Sequence, residues 1–350
     1  MKKILAMILL LVCCTCALTA CSSDMIGDFD YHYTPVLLKS IDLNMYIIGN
    51  PETEKANTTV ANAITAYTAR EYKINLVMHY VSEDNYADTL VADLADSTKS
   101  VDIMLINDKE LFDTLYNAGH LACLDAAYDS KQFGTLNAKL PDALLAASLV
   151  NGSYYTVPNT RALGEYQYLV INRERAHYYH YSDTDLRAMK SLEDAQPLAE
   201  KIGADAEQYI RLVSGTYADK AKYESEGNVC NVVSKPVVTV EDAFASAFAI
   251  NSKLVVGEDN TKMMRAMKIV FALHDDVYLR NLLQYGVKNT NYEINDKNEV
   301  TRFDDESALY EMNILYTGAY DIAYYCEAIA HTEASVKSAK QQNLEATFEP

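Results

Sequence analysis

The sequence contains no tryptophan, only three cysteines after residue 21, and no long apolar run beyond its first 20 residues. The missing apolar run argues against a membrane-spanning helix further along the chain. Basic residues are also few: 30 lysines and arginines stand against 49 aspartates and glutamates, a formal net charge of −19 at pH 7. Such a charge repels nucleic acid and anionic lipid headgroups, so neither is an expected partner.

The three later cysteines, Cys123, Cys230 and Cys326, are widely spaced and form neither a Cys-x-x-Cys pair nor a Cys/His metal spacing. Three thiols allow at most one disulfide. We expect all three to be buried or inert.

Sequence motifs of the common enzyme classes are missing as well. The chain has no His-Glu-x-x-His, Gly-x-Ser-x-Gly, Walker or Gly-x-Gly-x-x-Gly pattern. His177 and His180, with Asp183 and Asp185 nearby, lack a third ligand at metal spacing, which favours a surface helix or turn. Residues 296–304 lack the central glycine and closing glutamate of an EF-hand loop. We therefore expect no enzyme, no metal and no other cofactor.

The N-terminus has the pattern of a signal peptide. Lys2 and Lys3 precede the apolar run Ile4–Val12, and Leu18-Thr19-Ala20 is followed by Cys21. Leu-x-x-Cys in this position resembles the lipobox of bacterial lipoproteins, which implies that residues 1–20 are removed and that Cys21 carries the lipid. The protein would then be extracytoplasmic and anchored to the cell membrane, with a net charge of −21. The alternative is an ordinary signal peptide in which Cys21 is incidental.

Residues 21–40 are polar and rich in aspartate, and we interpret them as a tether. Strands then alternate with helices of ten or more residues, which predicts right-handed crossovers and a parallel sheet in a first lobe, residues 41–158. Loops 49–50, 82–85 and 107–108 should form one rim, because ligands bind beyond the carboxyl ends of parallel strands. The predicted elements are strands at 41–48, 74–81 and 101–106, helices with apolar faces Val60/Ile64/Tyr67 and Tyr86/Leu90/Leu94, and a helix from Lys109 capped by Gly119.

Residues 159–290 are predicted to form a second lobe, mostly helical, in which Tyr166–Asn172 is a strand. Residues 261–285 have the pattern of a helix pair, broken at Asp275-Asp276 and ended by Gly286. Residues 291–350 predict a hairpin around 295–298 and then C-terminal helices, from about 305 to 343, that return across the hinge.

Several segments together resemble a known family. Gly152-Ser153-Tyr154-Tyr155-Thr156-Val157-Pro158 is followed by Tyr168-Leu169-Val170-Ile171-Asn172, and later a helix ends in Tyr285-Gly286 before Tyr292 and a hairpin. This order resembles the extracellular solute-binding proteins of ABC importers, in the group that includes oligosaccharide binders. In that group Gly-x-x-Tyr-x-x-Pro leads to the crossing between two lobes, and an apolar strand ending in Asn opens the second lobe.

The resemblance implies an α/β, two-lobed fold of the type II periplasmic-binding kind. Each lobe would be a mostly parallel sheet flanked by helices, with the ligand cleft between the lobes. It also implies a monomer whose partners are a small solute and the membrane subunits of an ABC importer. Two departures concern the ligand: sugar-binding members usually stack a pyranose ring on Trp or Tyr, and this chain has no Trp and is short for the group.

Tyrosine is the most suggestive residue type, with 27 Tyr against 8 Phe. A tyrosine ring can stack on a sugar while its hydroxyl bonds a polar edge, although most tyrosines are expected to be half-buried packing residues. Arg161 could bind a ligand oxygen or form a hinge salt bridge, and Asn50, Asn107 and Asp108 could either read hydroxyls or cap helices. The predicted ligand-binding residues are Asn50, Asn107, Asp108, Tyr154, Tyr155, Arg161, Tyr166, Tyr285 and Tyr292.

The sequence supports three hypotheses of function. The first is a solute-binding lipoprotein whose lobes close about a hinge and whose closed form an importer recognises. The second is a ligand-sensing or surface-interaction lipoprotein on the same fold that is not coupled to transport. The third, an extracytoplasmic enzyme, has no motif in its favour.

Overall fold

The computed structural model describes residues 39–49, 54–131, 133–257, 259–305, 308–310 and 312–349. The signal peptide, Cys21, residues 21–38 of the tether and Asn50 therefore lie outside the described residues. From Ser40 onward the chain forms one compact unit.

The strands are β1 (Ile41–Ile48), β2 (Ile74–Val81), β3 (Ile103–Ile106), β4 (Leu149–Val150), β5 (Ser153–Tyr154), β6 (Thr156–Pro158), β7 (Tyr166–Asn172), β8 (Ile210–Gly215), β9 (Asn228–Ser234), β10 (Val237–Val238), β11 (Ala247–Ile250), β12 (Tyr292–Ile294), β13 (Val300–Arg302) and β14 (Thr347–Phe348).

The α-helices are α1 (Glu54–Tyr72), α2 (Glu83–Ala95), α3 (Lys109–Asn117), α4 (Asp125–Tyr128), α5 (Gly134–Asn137), α6 (Asp142–Ala147), α7 (Arg173–Tyr178), α8 (Asp183–Ala188), α9 (Leu192–Ile202), α10 (Ala206–Tyr209), α11 (Tyr217–Ser225), α12 (Val240–Phe244), α13 (Thr261–Asp275), α14 (Val277–Tyr285) and α15 (Glu333–Glu345).

The first lobe is built on a five-stranded sheet in the order β2-β1-β3-β11-β6. β1 pairs in parallel with β2 and β3, as the β-α-β-α-β pattern predicts. β11 is antiparallel to both of its neighbours, β3 and β6. Tyr86, Leu90 and Leu94 of α2 are buried against this sheet, which confirms the predicted apolar face. The large apolar core of the molecule lies here, since α13 and α14 pack into the same cluster.

The second lobe has a three-stranded sheet in the order β8-β7-β9, and both pairings are antiparallel. The expectation of a mostly parallel sheet in each lobe is therefore wrong for this lobe. The connections explain the difference, because α7–α10 return the chain to the end of the sheet at which β7 ends, so that β8 runs antiparallel to β7. Helix α11 then carries the chain from the far end of β8 back to that same end, so that β9 also runs antiparallel to β7. One face of β7 packs on α7–α9 through Leu169 and Ile171, and the other buries Tyr166, Tyr168 and Val170.

The second lobe is also shorter than the predicted span 159–290. After β9 the chain returns to the first lobe, where β11 joins the first sheet and Met263, Met267 and Val270 of α13 are buried in the first core. The helix pair itself is as predicted, with Asp276 accepting the backbone N–H groups of Tyr278 and Leu279 at the break. The helix pair belongs to the first lobe because its apolar face packs on the core of that lobe. Helical periodicity predicts such a face but does not reveal the sheet on which the face packs.

The C-terminal region contains the predicted hairpin, β12-β13, but within its described residues only α15 is an α-helix. The expected helix from about 305 is instead a chain of turns and short 3₁₀ segments. Buried side chains of α14 satisfy carbonyls there: Arg280 donates to Ala319 and Ile314 at 2.9 and 3.2 Å, and Gln284 donates to Met312 at 2.7 Å. These bonds replace the bonds that a helix would have made.

Two crossings join the lobes, residues 159–165 between β6 and β7 and residues 235–236 between β9 and β10. They touch at Gly164, where φ is +59° and a Cβ atom would lie 2.6 Å from the carbonyl oxygen of Val237. Helix α15 binds the first crossing, since the amide of Gln342 donates to the carbonyls of Leu163 and Gly164 at 2.9 and 2.6 Å. The prediction of two α/β lobes joined by more than one crossing is confirmed.

Candidate functional site

The first crossing leaves the first lobe at the carboxyl rim of its sheet, and the second crossing touches the first at Gly164. Pro158 ends β6 opposite Ala247, and Ala247 also pairs with Ile106 at the end of β3. The loops that follow β2 and β3 therefore face the space bounded by the crossings and the second lobe. At the end of β1, Gly49 lies so close to Tyr80 that an added Cβ would be 2.6 Å from its ring.

Asn107 and Asp108 follow β3 at this rim. Asp108 is exposed and caps α3 by accepting the backbone N–H of Leu111 at 2.7 Å, so the capping role is present. Asn107 is half-buried, and its Oδ1 is shielded from solvent and accepts no hydrogen bond from the described residues. A buried amide oxygen without a donor among the described residues is an unusual feature, and a ligand hydroxyl reaches it only if the side chain or its neighbours move.

Tyr316 completes the rim from the C-terminal region. Its hydroxyl donates to Glu83 Oε1 at 3.2 Å, and Glu83 is the first residue after the β2 loop. Burial and then the carboxylates of Glu83 and Asp108 raise the pKa of Tyr316 to about 12, whereas Arg161 lowers it. These four side chains therefore lie within one electrostatic neighbourhood. Sequence reasoning placed Glu83 within the predicted rim loop 82–85 but did not name it as a binding residue. It missed Tyr316, because nothing in the local pattern distinguishes that tyrosine from the others.

Arg161 lies on the first crossing and forms the hinge salt bridge that was the alternative to ligand binding. Its Nη2 is 2.9 Å from Asp242 Oδ1 and donates to the carbonyl oxygen of Asp242 at 2.8 Å. The Arg161 side chain is only 14% exposed. Its charge is therefore largely committed to the junction between the crossing and α12.

Tyr154 and Tyr155 do not lie between the lobes. They precede β6, which runs in the same direction as β3, so they are at the amino end of the sheet, opposite the rim. Tyr154 stacks on Tyr128 with centroids 4.2 Å apart, and Tyr155 makes an edge contact with Tyr116 at 4.9 Å. The expectation that the crossing brings them to the cleft is wrong, because the crossing begins only after Pro158, at the other end of β6.

The other three predicted tyrosines are packing residues. Tyr166 is buried in the second lobe and stacks on Tyr168 at 5.4 Å. Tyr285 and Tyr292 are buried together in a small C-terminal cluster, and the Tyr285 hydroxyl donates to the carbonyl of Tyr324 at 2.7 Å. The structure therefore brings Asn107, Asp108 and Arg161 together and places Tyr154, Tyr155, Tyr166, Tyr285 and Tyr292 elsewhere.

A pocket of about 560 Å³ lies beside the first crossing. Its walls come from residues 137–143 of the first lobe, Thr160 and Arg161 of the crossing, Tyr320 and Asp321, and the inner face of α15. An ion pair between Lys340 and Asp321, 3.0 Å long, lies on one wall. No residue of the second-lobe sheet is among its described lining, so closure of the two lobes would not enclose it.

The structure places the three later cysteines and tests for a metal site. Cys230 and Cys326 are buried, whereas Cys123 is exposed, and none of the three is in a disulfide. Burial raises the pKa of the Cys230 thiol to about 11, which keeps it protonated and unreactive. The described part of the chain contains no group of three His, Cys, Asp or Glu side chains placed to hold a metal ion. It also contains no helix that is both long and apolar enough to span a bilayer.

No family model and no curated protein sequence matches this chain. Its fold, however, matches solved structures of the N-glycan transport solute-binding protein NgtS from Streptococcus pneumoniae. The first shares 16% sequence identity, covers 88% of this chain and 84% of that chain, and has a TM-score of 0.56. A complex of the same protein with Man5GlcNAc gives 16% identity, 88% and 83% coverage, and a TM-score of 0.55. The chain has the two-lobed fold of extracellular solute-binding proteins.

Proposed function

We propose that this protein is an extracytoplasmic lipoprotein that binds a small polar solute, an oligosaccharide, between its lobes and delivers it to an ABC importer. The observation that carries the proposal is the polar rim of Glu83, Asn107, Asp108 and Tyr316 beyond the carboxyl ends of β2 and β3, on the side from which the first crossing leaves the lobe. Two lobes with separate cores can close about crossings that touch at a glycine. We propose a binder and not an enzyme, and the described rim residues present hydrogen-bond acceptors, which suit that role.

The chemistry of the rim suits hydroxyl groups. Glu83 and Asp108 carboxylates and the Asn107 amide oxygen accept hydrogen bonds, and each sugar hydroxyl can donate one. The ring of Tyr316 is buried in the first core, and its hydroxyl holds the Glu83 carboxylate at the rim. NgtS, whose fold this chain shares, has been solved with the glycans Man1GlcNAc and Man5GlcNAc, which supports an oligosaccharide as the first ligand class to test.

Thermal unfolding of the purified protein against neutral oligosaccharides, amino acids, peptides and polyamines tests the proposal. A ligand at 100 times its dissociation constant adds about 2.7 kcal/mol to the unfolding free energy. We expect oligosaccharides to stabilise the protein, and Asn107→Ala to reduce that stabilisation more than Asn151→Ala, a control on the β4-β5 turn. Stabilisation by peptides or polyamines alone would replace the sugar assignment with another solute.

The anchor has its own test. We expect Cys21→Ser to release the protein from the membrane fraction, because lipid chains on Cys21 supply the anchoring free energy. Fractionation followed by immunoblotting measures the release. Membrane retention equal to that of the unaltered protein would contradict the lipoprotein assignment and would leave the binding proposal intact.

A further inference from the structure

Near the proposed cleft, two basic side chains form ion pairs, whereas two acidic side chains form none with the described residues. Arg161 is bonded to Asp242 at 2.9 Å, and Lys109, at the start of α3, is 2.6 Å from Asp113 on its own helix. Each of these two cations is thus paired with a protein carboxylate. Glu83 and Asp108, in contrast, form no ion pair within the described ranges, and both are exposed at the rim.

These two carboxylates carry their charge at the place where the proposed ligand would bind. Asp108 accepts one backbone N–H, and Glu83 accepts the Tyr316 hydroxyl. Neither contact cancels a negative charge. The overall charge of the chain, −19, adds a repulsive field in the same direction. A ligand carboxylate placed about 5 Å from either group is therefore disfavoured, by about tenfold in affinity or more where water only partly screens the pair.

We propose that the rim charge makes the site select neutral or amine-bearing oligosaccharides and reject those that carry a carboxylate, such as a sialic or uronic acid. This inference rests on the proposed function, and it names the ligand class of the same site. Glu83 and Asp108 are its specificity-determining residues. They contribute acceptors to hydroxyl and ammonium groups and repulsion to acidic groups.

Matched glycans test the selection. Calorimetry measures the dissociation constants of two pairs of ligands. The first pair is a biantennary N-glycan with its terminal sialic acids and the same glycan without them, and the second pair is chitotetraose and its amine form. At about 20 mM salt we expect the asialo glycan to bind at least about tenfold more tightly than the sialylated one, and the ratio to shrink at about 500 mM salt because exposed charges are screened.

The variant Glu83→Gln/Asp108→Asn removes both charges and keeps the acceptor to Tyr316 and the cap of α3. We expect it to reduce the asialo-to-sialylated ratio below about threefold at low salt, since the repulsion is lost. Glu174→Gln/Glu193→Gln removes two exposed charges from the second lobe and should leave the ratio unchanged. Melting temperatures of both variants report whether they remain folded.

The two proposals fail differently. If neutral glycans bind and the sialylated form binds within threefold of them at low salt, the selection is wrong and the proposed function stands. If the ratio is large but both double variants change it equally, the rim carboxylates are not its cause and the inference is overturned. If no glycan of either charge binds, the proposed function falls and the selection falls with it.

Discussion

At the scale of single residues, tyrosine hydroxyls differ in their hydrogen-bond partners. The hydroxyl of Tyr86 bonds the carbonyls of Tyr46 and Leu105 at 3.0 and 2.8 Å inside the first core, and that of Tyr285 bonds Tyr324. Such bonds fix the packing of neighbouring elements. The hydroxyl of Tyr316 instead reaches a rim carboxylate. Composition alone cannot separate these roles, because both use the same side chain.

A pair of tyrosine variants separates recognition from packing. We expect Tyr316→Ala to weaken solute binding by about 1–3 kcal/mol, because it removes the hydroxyl that holds Glu83 at the rim, and also to lower the melting temperature, because the ring is buried in the first core. Tyr155→Ala should leave binding unchanged and lower the melting temperature, because it removes an edge contact with Tyr116 in the first lobe. Calorimetry and thermal unfolding measure the two effects. A selective loss of affinity in Tyr155→Ala would return that residue to the site.

Buried histidine gives the stability a pH dependence. His331 is 0% exposed, and burial lowers its pKa to about 4, below the usual value of 6.5. The unfolded chain therefore binds the proton first as the pH falls. The stability contribution is fully present above pH 6.5 and is lost between pH 6.5 and about 4, by at most about 3 kcal/mol.

Denaturant unfolding at pH 7.5, 5.5 and 4.5 checks this dependence. We expect His331→Gln to be less stable than the unaltered protein at pH 7.5 but to lose less stability on acidification. His274, buried with its ring nitrogens 2.9 and 3.1 Å from the carbonyls of Val270 and Pro158, has its pKa lowered by burial and provides a second contribution of the same sign. If the unfolding free energy changes equally with pH in His331→Gln and in the unaltered protein, His331 does not contribute to the pH dependence.

At the scale of elements, α15 connects parts that are distant in sequence. Gln342 bonds the first crossing with its amide and accepts the backbone N–H of Tyr217, in the second lobe, at 3.0 Å. Asn343 donates to the carbonyl of Arg161 at 2.7 Å and accepts the N–H of Leu163 at 3.0 Å. The helix therefore supports the hinge from the C-terminal side, and it satisfies crossing groups that no sheet partner could reach.

Removal of the Gln342 side chain should loosen this support. We expect Gln342→Ala to lower the unfolding free energy by about 1–3 kcal/mol, because the crossing carbonyls and the Tyr217 N–H lose their partner. We also expect weaker solute binding without any change at the rim, since a more mobile hinge must be ordered on closure. Gln341→Ala, whose side chain bonds Glu345 on the same helix, is the matched control. Identical behaviour of the two variants would exclude a hinge role for Gln342.

At the scale of the whole molecule, the proposed mechanism requires motion of the lobes about the crossings. The absence of Trp provides a direct probe, because an introduced Trp is the only one in the protein. Tyr217 is 42% exposed and lies beside α15, whereas Tyr178 is 71% exposed on α7, away from the crossings. We expect the emission of Tyr217→Trp to change on solute binding and that of Tyr178→Trp to stay constant. Constant emission from both, at saturating solute, would indicate that binding occurs without closure.

The sequence by itself determined the local elements of this protein. Alternation predicts β2, helical spacing predicts the buried face of α2, and Asp276 with Gly286 fixes the break and the end of the α13–α14 pair. These features depend on neighbours within a few residues, and the physics that sets them is present in any short window of the chain. The rim residues Asn107 and Asp108 were also within reach, because they directly follow a predicted parallel strand.

Tertiary structure alone decided which of these elements belong together. β11 lies about 140 residues from its partner β3, and the C-terminal turns are held by side chains of α14, so neither assignment follows from local periodicity. The same holds for the proposed site: Tyr154 and Tyr155 immediately precede a strand whose direction places them at the wrong end of the sheet. Tyr316 reaches Glu83 across 233 positions. The role of a side chain depends on the groups that it contacts, and the pairing of strands that are distant in sequence determines those contacts.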